Sequence, residues 1–230
     1  MKRAVFAGRS VMKRAVFAAC VAALAIGVPT ALGKPSSSSI SITVSQKTVL
    51  FGFSTTVSGH VSGNKAPGAA VTLQAKPFGA KSFTNVASQT ATSSGSYSFT
   101  YFPPRNGSVR AVAKTAPTAT SVGVFVGVQP FVGLSVGTTH PKKGQRVRFT
   151  GIVSPAFNGM LVWFQRRTPT GHWRTLAATA LFAATPGSHG PRSQYFRRLR
   201  INRSGTFRVV FPAPAGWISN HSRTRTLIVH

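Results

Sequence analysis

Acidic side chains are missing from this sequence, whose 230 residues include 28 Lys and Arg but no Asp or Glu. Ordinary proteins carry charges of both signs on about 25% of their residues. Without a carboxylate side chain, a Ser-His-Asp triad, a two-carboxylate glycosidase and a calcium loop are all excluded. No ion pair between side chains can form, so we expect stability to come from apolar burial and backbone hydrogen bonds.

Cysteine is almost as scarce, because Cys20 is the only one. It precedes the position at which we expect the mature chain to begin, so that chain would hold no disulfide, zinc-binding thiolate or thiol nucleophile. No H-x-H or H-x(3)-H pair occurs, and no S-x-x-K or G-x-S-x-G precedes a predicted helix. The isolated histidines are His60, His140, His172, His189, His221 and His230. We therefore predict no metal, no cofactor and no enzymatic activity.

The first 33 residues have the pattern of a secretory signal peptide. The segment MKRAVFA occurs twice, and we interpret Met12, which opens the second copy, as the true start. Two basic residues follow it, then an apolar run over Ala15–Val28, then small residues at Ala31 and Gly33. This order is typical of a signal peptide cleaved after Gly33.

Two alternatives for the leader fit less well. A membrane anchor over residues 15–28 would be short, since a span needs about 20 apolar residues. A lipoprotein signal ending at Cys20 would leave no room for an apolar region after Met12. We therefore predict a secreted protein with no transmembrane span in its mature chain.

The remainder of the chain is rich in strand and turn signals. Residues 34–39 (KPSSSS) predict a flexible spacer. Alternating apolar and polar residues then follow from Ile40, interrupted by Gly, Pro and Asn turns every 8–12 residues. The pattern restarts after a short linker at Gln129-Pro130. Two β-sandwiches, over residues 40–128 and 131–230, are the interpretation that this spacing favours.

The two halves correspond in sequence. Leu50–Gln74 answers to Pro141–Gln165, and both contain G-x(4)-[VF]-[ST]-G followed by G-x-x-V-x-[LF]-Q. The spacing of matched residues falls from 92 to 90 and then rises to 98 at the shared G-[ST]-[VF]-R-[AV]-V segment. We assign the rise to a longer loop over residues 185–191, because loops tolerate insertions better than strands do.

These motifs, the leader and the matched aromatic residues Phe83 and Trp173 resemble the tandem immunoglobulin-like domains of secreted or surface bacterial proteins. The resemblance implies an all-β fold of two tandem immunoglobulin-like β-sandwiches after a signal peptide. Domains of that kind act as spacers, adhesion modules or carbohydrate-side accessories. It therefore implies a non-enzymatic structural or adhesion module that is secreted or associated with the cell wall. The absence of acids departs from the pattern and places any inherited calcium site in doubt.

Basic residues are unevenly distributed. Residues 34–127 carry 8, whereas residues 128–230 carry 15, of which thirteen are Arg. In a strand alternate side chains share a face, so inward Val147 and Phe149 predict that Arg146 and Arg148 point outward. The same reasoning selects a candidate polyanion-binding set. Its members are Arg146, Arg148, Trp163, Arg166, Arg167, Arg198, Arg200 and Arg208.

Two interpretations of this set remain open. Arg forks match phosphate, sulfate and carboxylate groups, and an exposed Trp stacks on a sugar or a base. The partner would then be an acidic polysaccharide at the cell envelope, an anionic lipid headgroup or a nucleic acid, although no specific nucleic-acid motif is present. Alternatively, the arginines only solvate the outer faces of a sandwich.

The leader generates the first prediction. Expression of the full chain in a secreting bacterium is expected to release a protein that begins at Lys34, because the small residues Ala31 and Gly33 define the cleavage site. Intact mass and N-terminal sequencing of the secreted material check this. A mature chain that retains residues 15–28 would contradict both the cleavage site and the prediction of secretion.

Overall fold

The computed structural model describes residues 37–63 and 66–230, in which all regular secondary structure is β-strand. The prediction of an all-β fold is therefore confirmed. The predicted signal peptide at 1–33 lies outside the described residues, as do residues 34–36 of the predicted spacer. Ser39, the last residue of the predicted spacer, belongs to the first strand.

Ten strands form the first half of the described chain, which we call the first sandwich. They are β1 (Ser39–Ile40), β2 (Thr43–Val44), β3 (Thr48–Leu50), β4 (Thr55–Ser62), β5 (Ala70–Pro77), β6 (Thr84–Thr90), β7 (Ser96–Tyr101), β8 (Gly107–Ala113), β9 (Ala119–Thr120) and β10 (Val124–Gln129). One sheet has the order β1-β4-β2 with β7 on β4. The other has the order β3-β10-β8-β5-β6 with β9 on β8. The β3–β10 pair is parallel, and the other pairs are antiparallel.

Ten further strands form the second sandwich. They are β11 (Phe131–Val132), β12 (Ser135–Val136), β13 (Gln145–Ser154), β14 (Leu161–Arg167), β15 (Trp173–Ala180), β16 (Phe182–Gly187), β17 (Gly190–Ile201), β18 (Gly205–Phe211), β19 (Asn220–His221) and β20 (Arg225–Leu227). One sheet has the order β11-β13-β17-β16 with β12 on β13. The facing sheet has the order β15-β14-β18-β19 with β20 on β18.

Each sandwich has its own hydrophobic core. The first core contains buried residues between positions 40 and 126, and the second contains buried residues between positions 132 and 227. Four aromatic side chains, Phe149, Phe164, Tyr195 and Phe207, occupy the centre of the second core, with ring centroids 5.5 to 6.0 Å apart. The predicted inward orientation of Val147 and Phe149 is confirmed, since each is 1% exposed.

A buried tyrosine makes the same contact in both sandwiches. The Tyr97 hydroxyl donates to the Ser41 carbonyl, and the Tyr195 hydroxyl donates to the Gly133 carbonyl. The acceptors are 92 residues apart and the tyrosines 98 apart, the spacings found in the sequence. Burial raises the pKa of Tyr97 to about 12 and that of Tyr195 further still. Both hydroxyls therefore keep the proton that they donate.

A glycine makes room for each of these contacts. A Cβ atom at Gly59 would collide with the Ser41 carbonyl and the Tyr97 hydroxyl. A Cβ atom at Gly151 would collide in the same way with the Gly133 carbonyl and its tyrosine. The glycine of the [VF]-[ST]-G motif is thus required by the close approach of two chain segments rather than by its backbone angles.

The loop predicted over residues 185–191 is wrong. These residues belong to a hairpin, in which β16 ends at Gly187 and β17 begins at Gly190. The positive φ of Gly190, 90°, lets a two-residue connection close the hairpin. Pro186 suggested a loop, but β16 is an edge strand, where a missing N–H is tolerated. The insertion therefore adds a strand to the second sandwich.

The two sandwiches meet in a packed junction within one compact unit. Trp217 lies between Phe51 and Phe157, with ring centroids 5.7 and 5.4 Å away. The Ile218 N–H donates to the Val128 carbonyl at 2.9 Å. The Asn220 side-chain amide donates at 2.9 Å to the carbonyl of Pro130, in the predicted linker. Trp217 is thus part of this junction.

The tyrosine contact generates the second prediction. Replacing Tyr195 by Phe should lower the free energy of unfolding by about 1–3 kcal/mol, because the Gly133 carbonyl loses its donor in a buried position. Denaturant unfolding followed by circular dichroism measures the change. Tyr97→Phe should lower the free energy of unfolding by a similar amount, because the Ser41 carbonyl loses its donor in the same way. Tyr101→Phe is the control, because Tyr101 only packs against the first core; an equal loss there would show that the hydrogen bond is unimportant.

Candidate functional site

Four arginines lie in register on the outer face of the β13–β17 pair. Arg146 is directly opposite Arg200. Arg148 is directly opposite Arg198, and all four side chains are exposed. The residues between them, Val147 and its partner on β17, point into the core. Opposed residues in an antiparallel pair have Cβ atoms about 5 Å apart, and the next outward row lies about 7 Å along the strand.

This arrangement concentrates positive charge without an acidic side chain to neutralise it. Like charges directly opposite each other destabilise an antiparallel pair by roughly 0.2–1 kcal/mol. In most proteins interspersed acids would offset such a patch, but this sequence contains none. Dissolved ions or a bound anion would reduce the repulsion, which makes the patch a strong candidate for anion binding.

Two exposed phenylalanines continue the same face. Phe196 pairs with Thr150 in the row that follows Arg148 and Arg198, and it is 53% exposed. Phe182 on β16 is 41% exposed, and its ring meets that of Phe196 edge to face with centroids 5.9 Å apart. The Arg148 guanidinium lies 5.3 Å from the centre of the Phe196 ring. The charged and aromatic parts of the face are therefore in contact.

We call this surface the basic-aromatic face. Its members are Arg146, Arg148, Arg198, Arg200, Phe182 and Phe196. A shallow groove of about 620 Å³ crosses its aromatic end. Ser135, Thr150 and Gln194 line the groove beside the aromatic rings, and they add neutral hydrogen-bonding groups.

The other predicted site residues lie elsewhere. Trp163 is on the outer face of β14, in the facing sheet, opposite Val210 and Ala178. The second core separates β14 from β13, so Trp163 does not share a surface with Arg146. Leu161, two residues earlier on the same face of β14, is also exposed. The eight residues thus form more than one surface.

Arg166 and Arg167 end strand β14. Arg166 is half-buried and pairs with Phe207 on β18, at the margin of the core. Arg167 is exposed, and its Nε donates to the Gly171 carbonyl at 3.3 Å. Neither belongs to the basic-aromatic face.

Arg208 is occupied by contacts within the protein. Its Nε donates to the Gln165 side-chain oxygen at 2.9 Å, and its guanidinium lies 4.1 Å from the centre of the Trp173 ring. Burial lowers the pKa of Arg208 from its ordinary value. An amide oxygen and an aromatic ring thus stabilise a cation that has no carboxylate partner. We assign Arg208 and Trp173 to the framework of the second sandwich rather than to ligand binding.

The first sandwich contains the same device. The Arg110 Nε donates to the Gln74 side-chain oxygen at 2.8 Å, and its guanidinium lies 4.2 Å from the centre of the Phe83 ring. The first sandwich makes this contact although it lacks the four-arginine patch. The contact of arginine, glutamine and an aromatic ring is therefore independent of the patch, which supports a structural role in both sandwiches.

Sequence reasoning missed both phenylalanines of the face. Phe196 has the same strand parity as Arg198 and Arg200, so alternation alone was enough to place it on the outer face. Phe182 carried no such signal, because its strand was not predicted and its register depends on the hairpin to β17.

Comparisons with known proteins provide no assignment. No protein-family model matches the chain, and no curated protein matches it in sequence. Within residues 37–63 and 66–230, no group of three His, Cys, Asp or Glu residues is arranged to hold a metal ion. The same part of the chain contains no helix long and apolar enough to cross a membrane.

The opposed arginines generate the third prediction. Arg198→Gln should raise the free energy of unfolding by a few tenths of a kcal/mol at low salt, because the repulsion from Arg148 is removed. The gain should vanish near 1 M salt, where the screening length is about 3 Å. Denaturant titrations at both salt concentrations measure it. Arg105→Gln, an exposed control in the first sandwich, should change stability less; an equal gain would show that only overall charge matters.

Proposed function

We propose that this protein is a non-enzymatic, secreted or cell-surface module that binds a polyanion through the basic-aromatic face of its second sandwich. The observation that carries the proposal is the register of β13 and β17, which places Arg146 opposite Arg200 and Arg148 opposite Arg198. Guanidinium groups bind carboxylate, sulfate and phosphate in bidentate geometry. A bound anionic polymer would relieve a repulsion that the protein has no acid to offset.

The proposal includes an immunoglobulin-like architecture. In each half the strands of one sheet alternate along the chain with strands of the other, as β4, β5 and β7 illustrate. The parallel β3–β10 pair lets an early strand join the sheet of the last strand. This strand order, with the duplicated tyrosine and arginine contacts, supports two tandem immunoglobulin-like domains. Bacterial origin and secretion are proposed from the resemblance and from the leader at residues 1–33.

An acidic polysaccharide at the cell envelope is the partner that we favour. A secreted chain meets wall and surface polymers first, and the face offers several cationic contacts in a row rather than one enclosed site. Electrostatic attraction of this kind is long-ranged at low ionic strength and weakens with salt.

A structural role accompanies binding in this proposal. The aromatic contacts of Trp217 and the backbone hydrogen bond from Ile218 to Val128 tie the sandwiches together. These contacts support a role as a spacer. In this role the protein would hold the binding face at a fixed distance from the partner of the first sandwich.

The fourth prediction concerns binding of heparin and hyaluronan across a salt series. The fourfold variant Arg146→Gln/Arg148→Gln/Arg198→Gln/Arg200→Gln should lose at least about tenfold in affinity at moderate salt. The slope of log affinity against log salt should fall in magnitude by about one unit for each arginine removed. Isothermal titration or retention on immobilised polymer measures both quantities.

The matched control removes the same number of charges elsewhere. Four exposed basic residues of the first sandwich are changed to Gln for this purpose. They are Lys47, Lys81, Arg105 and Lys114. This variant has the same net charge as the first and should lose much less affinity. Equal losses in the two variants would show that net charge, and not the face, causes binding.

A further inference from the structure

The basic-aromatic face has an order along its strands that restricts the ligand. The Arg146–Arg200 row comes first, the Arg148–Arg198 row second, and the row containing Phe196 third. Successive outward rows are about 7 Å apart. A polymer that follows the strands therefore meets two cationic positions and then an aromatic one.

The surroundings of Phe196 suit an uncharged ring with polar substituents. Ser135, Thr150 and Gln194 surround it with neutral donors and acceptors, and the Gln194 amide is held by the Ala183 carbonyl at 3.2 Å. Sugar hydroxyl groups pair with side chains of this kind. An apolar ring face is present at the same place, since Phe182 and Phe196 are both about half exposed.

The angle between the rings indicates which kind of ring fits. The Phe182 and Phe196 planes are inclined at 86°, and the Arg148 guanidinium already lies near one face of Phe196. They form a bent apolar corner rather than a flat surface on which a planar base would stack. A puckered sugar ring presents C–H groups in several directions and can contact both rings of such a corner.

We infer that the polyanion is an anionic glycan, with a sugar ring seated at the Phe182–Phe196 corner and acidic substituents bound by the arginine rows. This inference rests on the proposed function and adds a subsite to it. A polyphosphate has no ring to place there. A lipid headgroup surface would engage the arginines without entering the groove.

The test compares ring-bearing and ringless polyanions on the intact mature chain. The probes are hyaluronan, heparin, long-chain inorganic polyphosphate and single-stranded oligothymidylate at one moderate salt concentration. Phe196→Ala and Phe182→Ala should each weaken glycan binding about three- to tenfold and leave polyphosphate binding within about twofold. Phe196→Leu should also weaken glycan binding, because it keeps apolar volume but loses the aromatic face, whereas Phe196→Trp should retain it.

Phe125→Ala is the matched control, since Phe125 is 54% exposed but lies in the first sandwich. It should change no affinity. Thermal unfolding of each variant confirms that an exposed phenylalanine was removed without loss of the fold.

The outcomes separate the inference from the proposed function. Weakened binding of all polyanions by the fourfold arginine variant, with no effect of the phenylalanine variants on glycans, overturns the inference and keeps the function. Equal losses for glycans and polyphosphate, a loss confined to oligothymidylate, or glycan binding no tighter than polyphosphate binding by the unmodified chain would also overturn the inference. If neither set of variants changes any affinity, both proposals fail.

Discussion

Every cation of this protein has to be accommodated without a carboxylate side chain, and the described structure follows from that constraint. Burial supplies the stability instead, in two cores whose central residues are almost completely inaccessible to water. The cations remain at the surface or, where partly buried, contact neutral groups. The net positive charge destabilises the compact state through repulsion between cations, and this repulsion is weakest where the arginines are far apart.

Two repeated contacts show how neutral groups replace the ion pairs that stabilise other proteins. Arg110 and Arg208 each combine a glutamine oxygen with an aromatic ring. Tyr97 and Tyr195 each join an outer segment to the sheet through a carbonyl. Arg146 opposite Arg200 and Arg148 opposite Arg198 form two adjacent outward rows of opposed arginines, whereas Arg166 opposite Arg174 is a single such pair.

The hairpin inserted into the second sandwich contributes to two surfaces at once. Its strand β16 places Phe182 beside Phe196 on the basic-aromatic face. Its tip places His189 against Phe53, with ring centroids 6.1 Å apart, and over the Gly52 turn of the first sandwich. The same insertion that separates the two halves in sequence therefore helps to form the face and joins the halves in space.

Local sequence pattern was sufficient for the strand class, for most of the inward residues and for the outward direction of Arg146, Arg148, Arg198 and Arg200. These properties depend on the period of two within a strand, which each segment carries by itself. The sequence could not determine which strands share a sheet. Trp163 was therefore grouped with arginines that lie across the core from it, and Arg208 was taken for a free cation although it contacts Gln165 and Trp173. Nor could it determine the register that opposes Arg146 to Arg200 or the hairpin that brings Phe182 to Phe196. Pairing between strands distant in the chain depends on packing of the whole sandwich, so only the tertiary structure decided where charge and aromatic surface meet.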